Sequence, residues 1–326
     1  MIFFTLPPST FIPTFLPTFV FFLYILLLTH NTGLATPFVE SLVDNATSEK
    51  IPVIIDLSAD HRFVCGVPEV SGANAGKPIL DKSSHRWTYG FPERYREQLA
   101  DSKIPSLVAN PGCYATGAIS ALLPLVKGMR FSLKDNSVPN VFGVSGYSGA
   151  GTNPSDKNNP EKLKNNLMAY SLVDHIHERE VGSQLGRPIF FMPHVGPHFR
   201  GISLTVSVEL DRPCTDSSEL EAQFQQFYEN DELICVSAHA PQVSANAGGH
   251  HVCIGGFSVS ADGRHAVIHV TIDNLLKGAA TQAIQNANLC LGLNEMEGIH
   301  LPKEEGWELN GGLLTAKAHA EAVMLQ

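Results

Sequence analysis

Asn110-Pro111-Gly112-Cys113-Tyr114-Ala115-Thr116-Gly117 follows Ser106-Leu-Val-Ala109 and precedes Ala118-Ile-Ser-Ala-Leu-Leu-Pro-Leu-Val126. The first flank reads as a short buried strand. The second has the length and apolar content of a helix. Pro111 and Gly112 supply the sharp turn between them, so Cys113 stands on a strand-to-helix turn at the helix N-terminus. Unpaired N–H groups there carry partial positive charge, which favours a thiolate, and the thiolate is the nucleophilic form of cysteine. A small buried hydrophobe is the competing reading of any cysteine. Cys65, Cys214, Cys235, Cys253 and Cys290 lack such a setting and read as structural.

Upstream, Ile51-Pro-Val-Ile-Ile-Asp-Leu-Ser58 is an apolar, β-branched run with a polar end. That pattern suits a parallel strand buried on both faces, opening on a site at its C-terminal end. Ser58-Ala-Asp-His-Arg62 sits at that end. The permanently charged fork of Arg62 can grip an anion, although a surface salt bridge is the commoner use of an arginine. Thr36–Val43 and Arg94–Ala100 read as helices. Further back, Phe11–Leu28 is an uncharged run of 18 residues, the lower length for a membrane span. Pro13 and Pro17 interrupt it, and no Lys or Arg precedes Lys50. It is expected to be a transmembrane anchor making membrane contact through residues 11–28, an atypical export signal, or a start that does not belong to the functional protein.

Downstream, Asn140–Val144 reads as a strand running into Ser145-Gly-Tyr-Ser-Gly-Ala-Gly-Thr152. Such a loop exposes backbone N–H groups, though a plain flexible turn has the same glycine content. In Tyr170–Glu180 the two histidines His175 and His177 lie about 200° apart on a helix, which argues against a shared metal. Either imidazole can serve as an acid/base. Pro188–His194 is a strand and His198–Gly201 a loop carrying Arg200. Ile202–Leu210 alternates as a half-buried strand, and a helix starts near Asp216 or Ser217. Leu233–Ser237, Val252–Ser260 and His265–Asp273 are strand-like, the last two flanking the hairpin signal Ala261-Asp-Gly263. Leu275–Leu291 is the last clear helix. Strands crowded after Cys113 contrast with the αβ alternation before it and imply a largely antiparallel second sheet.

Composition bounds the function. A hydrophobic content of 44% with 17% charged residues describes a globular chain of 326 residues, long enough for two domains. A net charge of −10 is the wrong sign for a nucleic-acid partner. Six cysteines without CxxC spacing argue against a disulfide framework or a zinc ribbon and for a reducing compartment.

Taken together, Asn110–Gly117, Asp56–Arg62, Val144–Gly151, His175–Glu178 and Asp273–Ala280 resemble N-acetyl-gamma-glutamyl-phosphate reductase, in its eukaryotic wording. The resemblance covers about residues 31–292. It lacks the strand and Gly-rich turn with which the family's Rossmann domain begins, that is, the N-terminal half of that domain. It implies an α/β fold: a partial Rossmann-type parallel sheet plus an inserted α+β domain with a mixed, mostly antiparallel sheet, as in glyceraldehyde-phosphate and semialdehyde dehydrogenases. The expected divisions are 1–30 (apolar segment), 31–112 (partial NADP-binding domain), 113–272 (catalytic and dimerisation domain), 273–292 (returning helix) and 293–326 (tail). The implied activity is NADPH-dependent reduction of N-acetyl-glutamyl phosphate to the semialdehyde in arginine biosynthesis, through a Cys113 thioester. His177, with His175 as the alternative, is the implied acid/base. Ser145, Gly146, Gly149 and Asn274 are implied near the NADP cofactor, and Arg200 and Arg62 near the acyl phosphate. A homo-oligomer and a mitochondrial location are implied too, the apolar start pointing instead to a membrane. Two alternatives accompany this reading: a catalytically impaired remnant or interaction protein of the same family, and a membrane-tethered cysteine-dependent acyl transferase or hydrolase that needs no nucleotide.

Overall fold

The computed structural model describes residues 2–4, 25–28, 35–44, 53–63, 87–101, 107–301, 307–310 and 313–316. The chain divides into two compact units.

Unit 1 comprises residues 1–66, 79–111 and 282–298. Its elements are β1 (Ile2–Phe4), β2 (Ile25–Leu28), α1 (Ala35–Asp44), β3 (Val53–Asp56), β4 (Thr88–Tyr89), α2 (Pro92–Ala100) and β5 (Leu107–Ala109). The sheet runs β1-β2-β3-β5-β4. Every pairing is parallel except β1 with β2. Strands β3 and β5 are buried on both faces, as their unbroken apolar runs require. Ile25–Leu28 overturns the transmembrane reading. These residues are a strand paired in parallel with Val53–Asp56, and among the described residues no helix is long and apolar enough to cross a membrane. The physical reason is that a continuous Ile/Leu run suits a strand paired inside a sheet as well as it suits lipid. Residues 11–24 of that run, and Cys65, lie outside the described residues.

Unit 2 comprises residues 67–78, 112–281 and 299–326. It opens with α3 (Cys113–Val126) and β6 (Asn140–Ser145), then a 3₁₀ turn at Tyr147–Ala150. After these come α4 (Pro160–Leu163), β7 (Met168–Ala169), α5 (Ile176–Leu185), β8 (Phe190–Val195) and β9 (Ile202–Glu209). Next are α6 (Ser217–Phe227), β10 (Ile234–Val236), α7 (Val243–Asn246), β11 (Val252–Val259) and β12 (His265–Ile272). The sheet order is β10-β11-β12-β9-β6-β8-β7. It is parallel at β10–β11 and β6–β8 and antiparallel elsewhere. Val141, Leu204, Val206, Ile254, Ile268 and Val270 are fully buried on one face of it. Helix α3 covers that face. A Cβ on Gly117 would meet Leu204 Cδ1 at 2.7 Å, so this glycine sets how closely helix and sheet approach.

The chain then forms a π-helix at Leu276–Ala280 before α8 (Thr281–Cys290), where the sequence predicts one continuous helix. α8 re-enters unit 1, and Ala283, Ala287 and Leu289 pack with Val53, Ile55, Leu99 and Val108. β13 (Trp307–Asn310) and β14 (Leu313–Ala316) pair as an antiparallel hairpin, in a tail that the sequence pattern leaves unplaced. The units part at 111/112 and 281/282.

Pro124 inside α3 removes the N–H that would serve the Ser120 carbonyl. The Tyr228 hydroxyl donates to that carbonyl at 2.7 Å, fully buried. Tyr228→Phe is expected to destabilise the protein by about 1–2 kcal/mol, because a buried acceptor loses its donor. Denaturant unfolding reads this directly, and an unchanged midpoint would contradict it.

Candidate active site

In unit 2 the elements converge on Cys113, the first residue of α3 and half-buried. The Gly112 N–H donates to Glu180 Oε1 at 2.8 Å. Glu180, on α5, is completely buried, and its Oε2 lies 3.9 Å from His177 Nε2 one helical turn away. One carboxylate therefore ties the backbone beside the cysteine to an imidazole. The ring of Tyr114 lies between α3 and α5, 5.8 Å from the His177 ring and 4.9 Å from Phe191. It fits because β6 carries Gly143, where a Cβ would meet Tyr114 Cε1 at 2.6 Å. Burial pushes the Tyr114 and Tyr170 phenols far up, and the negative charge available to Cys113 adds to both shifts. Two neutral hydroxyls thus stand close enough to the thiol to feel its ionisation.

His175 has a different setting from His177. It is the N-cap of α5, and its Nδ1 accepts the His177 N–H at 3.1 Å. An acceptor Nδ1 requires the neutral ring. Burial, then Lys157 and Arg179, hold its pKa down to about 4. The sign follows: an unfolded chain binds a proton here below the ordinary histidine value of about 6.5, whereas the folded chain does not until about pH 4. Stability present above about pH 6.5 is therefore lost as pH falls towards about 4. His251, held down to about 4 by burial, His250 and Lys277, acts in the same sense. His175→Asn keeps a capping side chain and removes the titration. It should reduce the loss of unfolding free energy between about pH 6.5 and about pH 5 by about 1 kcal/mol after allowance for partial exposure. Urea titrations at the two pH values measure it, and equal losses for both proteins would refute it.

The π-helix explains the close packing behind the thiol. Gly278 N and Ala280 N donate to the carbonyls of Asp273 and Leu275, five residues back. Asp273 Oδ1 accepts from the N–H groups of Leu275 and Leu276. A Cβ at Gly278 would meet Cys113 Cβ at 2.8 Å. Any larger residue here would displace the cysteine.

The residues expected near the cofactor do come together, but bonded to one another and to their neighbours. Ser145 Oγ donates to the Gly146 carbonyl. Asn274 accepts from Gly201 N–H at 2.7 Å and donates to Ser148 Oγ at 3.0 Å. A Cβ on Gly149 would meet Ser145 Oγ at 2.8 Å, and one on Gly146 the backbone of Phe199 and Arg200. The loop thus presses against β6 and the Arg200 turn as tightly as glycine permits. Gly151, at φ +82°, has no atom within 4 Å of the place a Cβ would take, which leaves open backbone of the kind a flat ring can approach. Arg200 lies 3.4 Å through Nε from Asp273 Oδ2 and keeps about a third of its side chain exposed.

Arg62 belongs to unit 1 and is buried there. Its Nε donates to the Asn110 carbonyl at 2.9 Å and its Nη2 to the Leu57 carbonyl at 2.8 Å. Its neighbours Asp56 and His61 form a buried pair at 2.6 Å, with His61 stacked on Trp87. Asn286 donates to Asn110 Oδ1. Arg62 and Asn286 therefore fix the strand end three residues before Cys113. Reading the sequence missed Glu180 and Gly278, although both lie inside or beside the motifs quoted above.

Residues 113–274 match the model of the semialdehyde dehydrogenase dimerisation domain. The N-acetyl-gamma-glutamyl-phosphate reductase of Xanthomonas axonopodis pv. citri is 45% identical over 275 residues, 84% of this chain and 77% of that protein. The bifunctional protein argC, mitochondrial, of Dictyostelium discoideum is 46% identical over 267 residues, 82% of this chain. Protein arg11, mitochondrial, of Schizosaccharomyces pombe is 48% identical over 271 residues. The chain spans 27% of the length of each of the last two. Among solved structures, aspartate semialdehyde dehydrogenase II of Vibrio cholerae is similar in fold, with a TM-score of 0.59 at 20% identity over 82% of this chain and 79% of that one.

Proposed function

The chain belongs to the N-acetyl-gamma-glutamyl-phosphate reductase family, and on that premise we propose that it reduces N-acetyl-glutamyl phosphate to N-acetyl-glutamate semialdehyde with NADPH, Cys113 being the nucleophile. The observation that carries the assignment is the buried carboxylate of Glu180, shared between the Gly112 N–H and the imidazole of His177.

Cys113 Sγ attacks the acyl carbon, the bond from that carbon to the phosphate oxygen breaks, and a thioester remains on the chain. NADPH, when bound, supplies the hydride that the thioester needs. The backbone of Ser145–Gly151 and the Asn274 turn are the residues that would hold its nicotinamide. His177, protonated and facing Glu180, gives its proton to the oxygen of the tetrahedral species. It takes that proton back as the C–S bond breaks and Cys113 leaves as thiolate. Arg200 is the candidate for the substrate's anionic groups, its guanidinium oriented by Asp273. His175, spent as a helix cap, orients His177 and exchanges no proton with substrate. Arg62 acts on the turn through Asn110 and not on the substrate. The chain works as a homo-oligomer through the mixed sheet, and the names of the amoebal and yeast relatives favour mitochondria.

The test runs the reaction backwards: purified protein, N-acetyl-glutamate semialdehyde, phosphate and NADP, with NADPH absorbance followed over time. Phosphate-dependent NADPH formation is expected. Its absence from a folded sample, or formation without phosphate, would overturn the assignment.

A further inference from the structure

Cys235 and Cys253 lie directly opposite one another on the parallel strands β10 and β11. Paired residues of neighbouring strands point to the same face, with Cα atoms about 4.8 Å apart, inside the roughly 4.4–6.8 Å that a disulfide spans. Their flanking residues Ile234, Val252 and Ile254 are buried towards the helices, so the two thiols share the opposite face, where both are half-buried. The register therefore sets the two side chains next to each other across the strand pair. β10 is a three-residue strand at the sheet edge with β11 as its neighbour, and an edge strand yields easily to the closer approach an S–S bond needs.

We infer that Cys235 and Cys253 are a reversible oxidation site, a dithiol that a peroxide converts to a disulfide between β10 and β11. The two sulfurs have unequal roles. The neighbouring Cys253 holds the Cys235 thiol down, whereas Cys253 is pushed up by that same neighbour and by burial. Cys235, on the edge strand, is the attacking thiolate, and Cys253, on the strand inside it, is the resolving thiol. Cys235 sulfur attacks the O–O bond of the peroxide, giving a sulfenic acid and one water. Cys253 sulfur then attacks the sulfenic sulfur; the S–S bond forms, and hydroxide leaves with the Cys253 proton as a second water. The peroxide is reduced and the two thiols are oxidised.

The site sits at the root of a segment that leads to the candidate active site. Ser237 N–H donates to the Ile254 carbonyl, directly after the pair. The chain then packs on Gly255, where a Cβ would meet the Ser237 carbonyl at 2.7 Å. It continues through α7 to Gly248, whose N–H binds Asp273 Oδ2, the carboxylate beside Arg200. Closure would clamp the start of that segment.

The full chain carrying Cys113→Ser, which removes the reactive thiol from the count, would be treated with hydrogen peroxide, quenched, unfolded and alkylated. Mass spectrometry is expected to find two fewer alkylated cysteines, mapped to 235 and 253, with full labelling restored by dithiothreitol. In Cys235→Ser the remaining Cys253 should stay labelled, whereas in Cys253→Ser Cys235 should be found as a sulfenic acid that dimedone traps and dithiothreitol reverses. Full labelling after peroxide, protection of any other cysteine, or oxidation of Cys235 that dithiothreitol does not reverse would overturn the inference. If a variant fails to fold, peptide mapping of the peroxide-treated wild-type chain decides between the same outcomes.

Discussion

Cys113→Ser should lower kcat for phosphate-dependent NADP reduction by about five orders of magnitude, or about 7 kcal/mol of transition-state stabilisation, the scale of loss when a covalent nucleophile is deleted. The size follows from the chemistry of this residue. A serine hydroxyl ionises only far above neutrality, whereas a thiol ionises within reach of physiological pH. The substitution is nearly isosteric and sits at a helix N-terminus that tolerates serine, so the fold should survive. The Gly112 N–H bond to Glu180 is made by backbone and stays in place. NADP binding, read by fluorescence quenching, should therefore be unchanged while turnover disappears. Retained turnover would remove Cys113 from the mechanism; lost binding together with lost turnover would point to a folding defect instead.

What could be read in the sequence was what is local. The strand–turn–helix at Asn110–Val126 is announced by an apolar run, a Pro-Gly pair and a second apolar run, and the structure has β5 and α3 there. The cap of α6 at Asp216 and the hairpin at Asp262-Gly263 are likewise written in single residues. What escaped was what depends on contacts distant along the chain. Glu180 matters because its carboxylate reaches Gly112, 68 residues away, and nothing in its local pattern distinguishes it from a solvated glutamate. Gly278 is needed because Cys113 and the Asp273 carbonyl occupy the space its side chain would fill. Arg62 reads as an anion ligand because its charge is visible in sequence, while the Asn110 and Leu57 carbonyls that it binds are not. The run ending at Leu28 was ambiguous for a deeper reason: lipid and a parallel sheet ask for the same residues.

His177→Gln is expected to lower kcat by about a hundredfold to ten-thousandfold with KM little changed, the range for loss of a general acid–base. Glutamine keeps the length and polarity of the side chain but cannot carry a proton between two oxygen-bound states. Glu180→Gln separates this from simple positioning. The 3.9 Å approach of Oε2 to His177 Nε2 is too long for a hydrogen bond, so the carboxylate would act on a protonated ring chiefly through its charge. An amide in its place keeps an acceptor for the Gly112 N–H and removes the charge. An imidazolium there loses an opposing charge in a buried setting, and the pH limb of kcat that reports its deprotonation should move to lower pH. At neutral pH kcat falls, and turnover recovers as the assay is made more acidic. In His177→Gln the same limb should vanish. If Glu180→Gln lowered kcat equally at all pH values, the carboxylate would be holding the turn at Gly112 and not tuning a proton donor. If His177→Gln kept the limb, the proton would belong to another group.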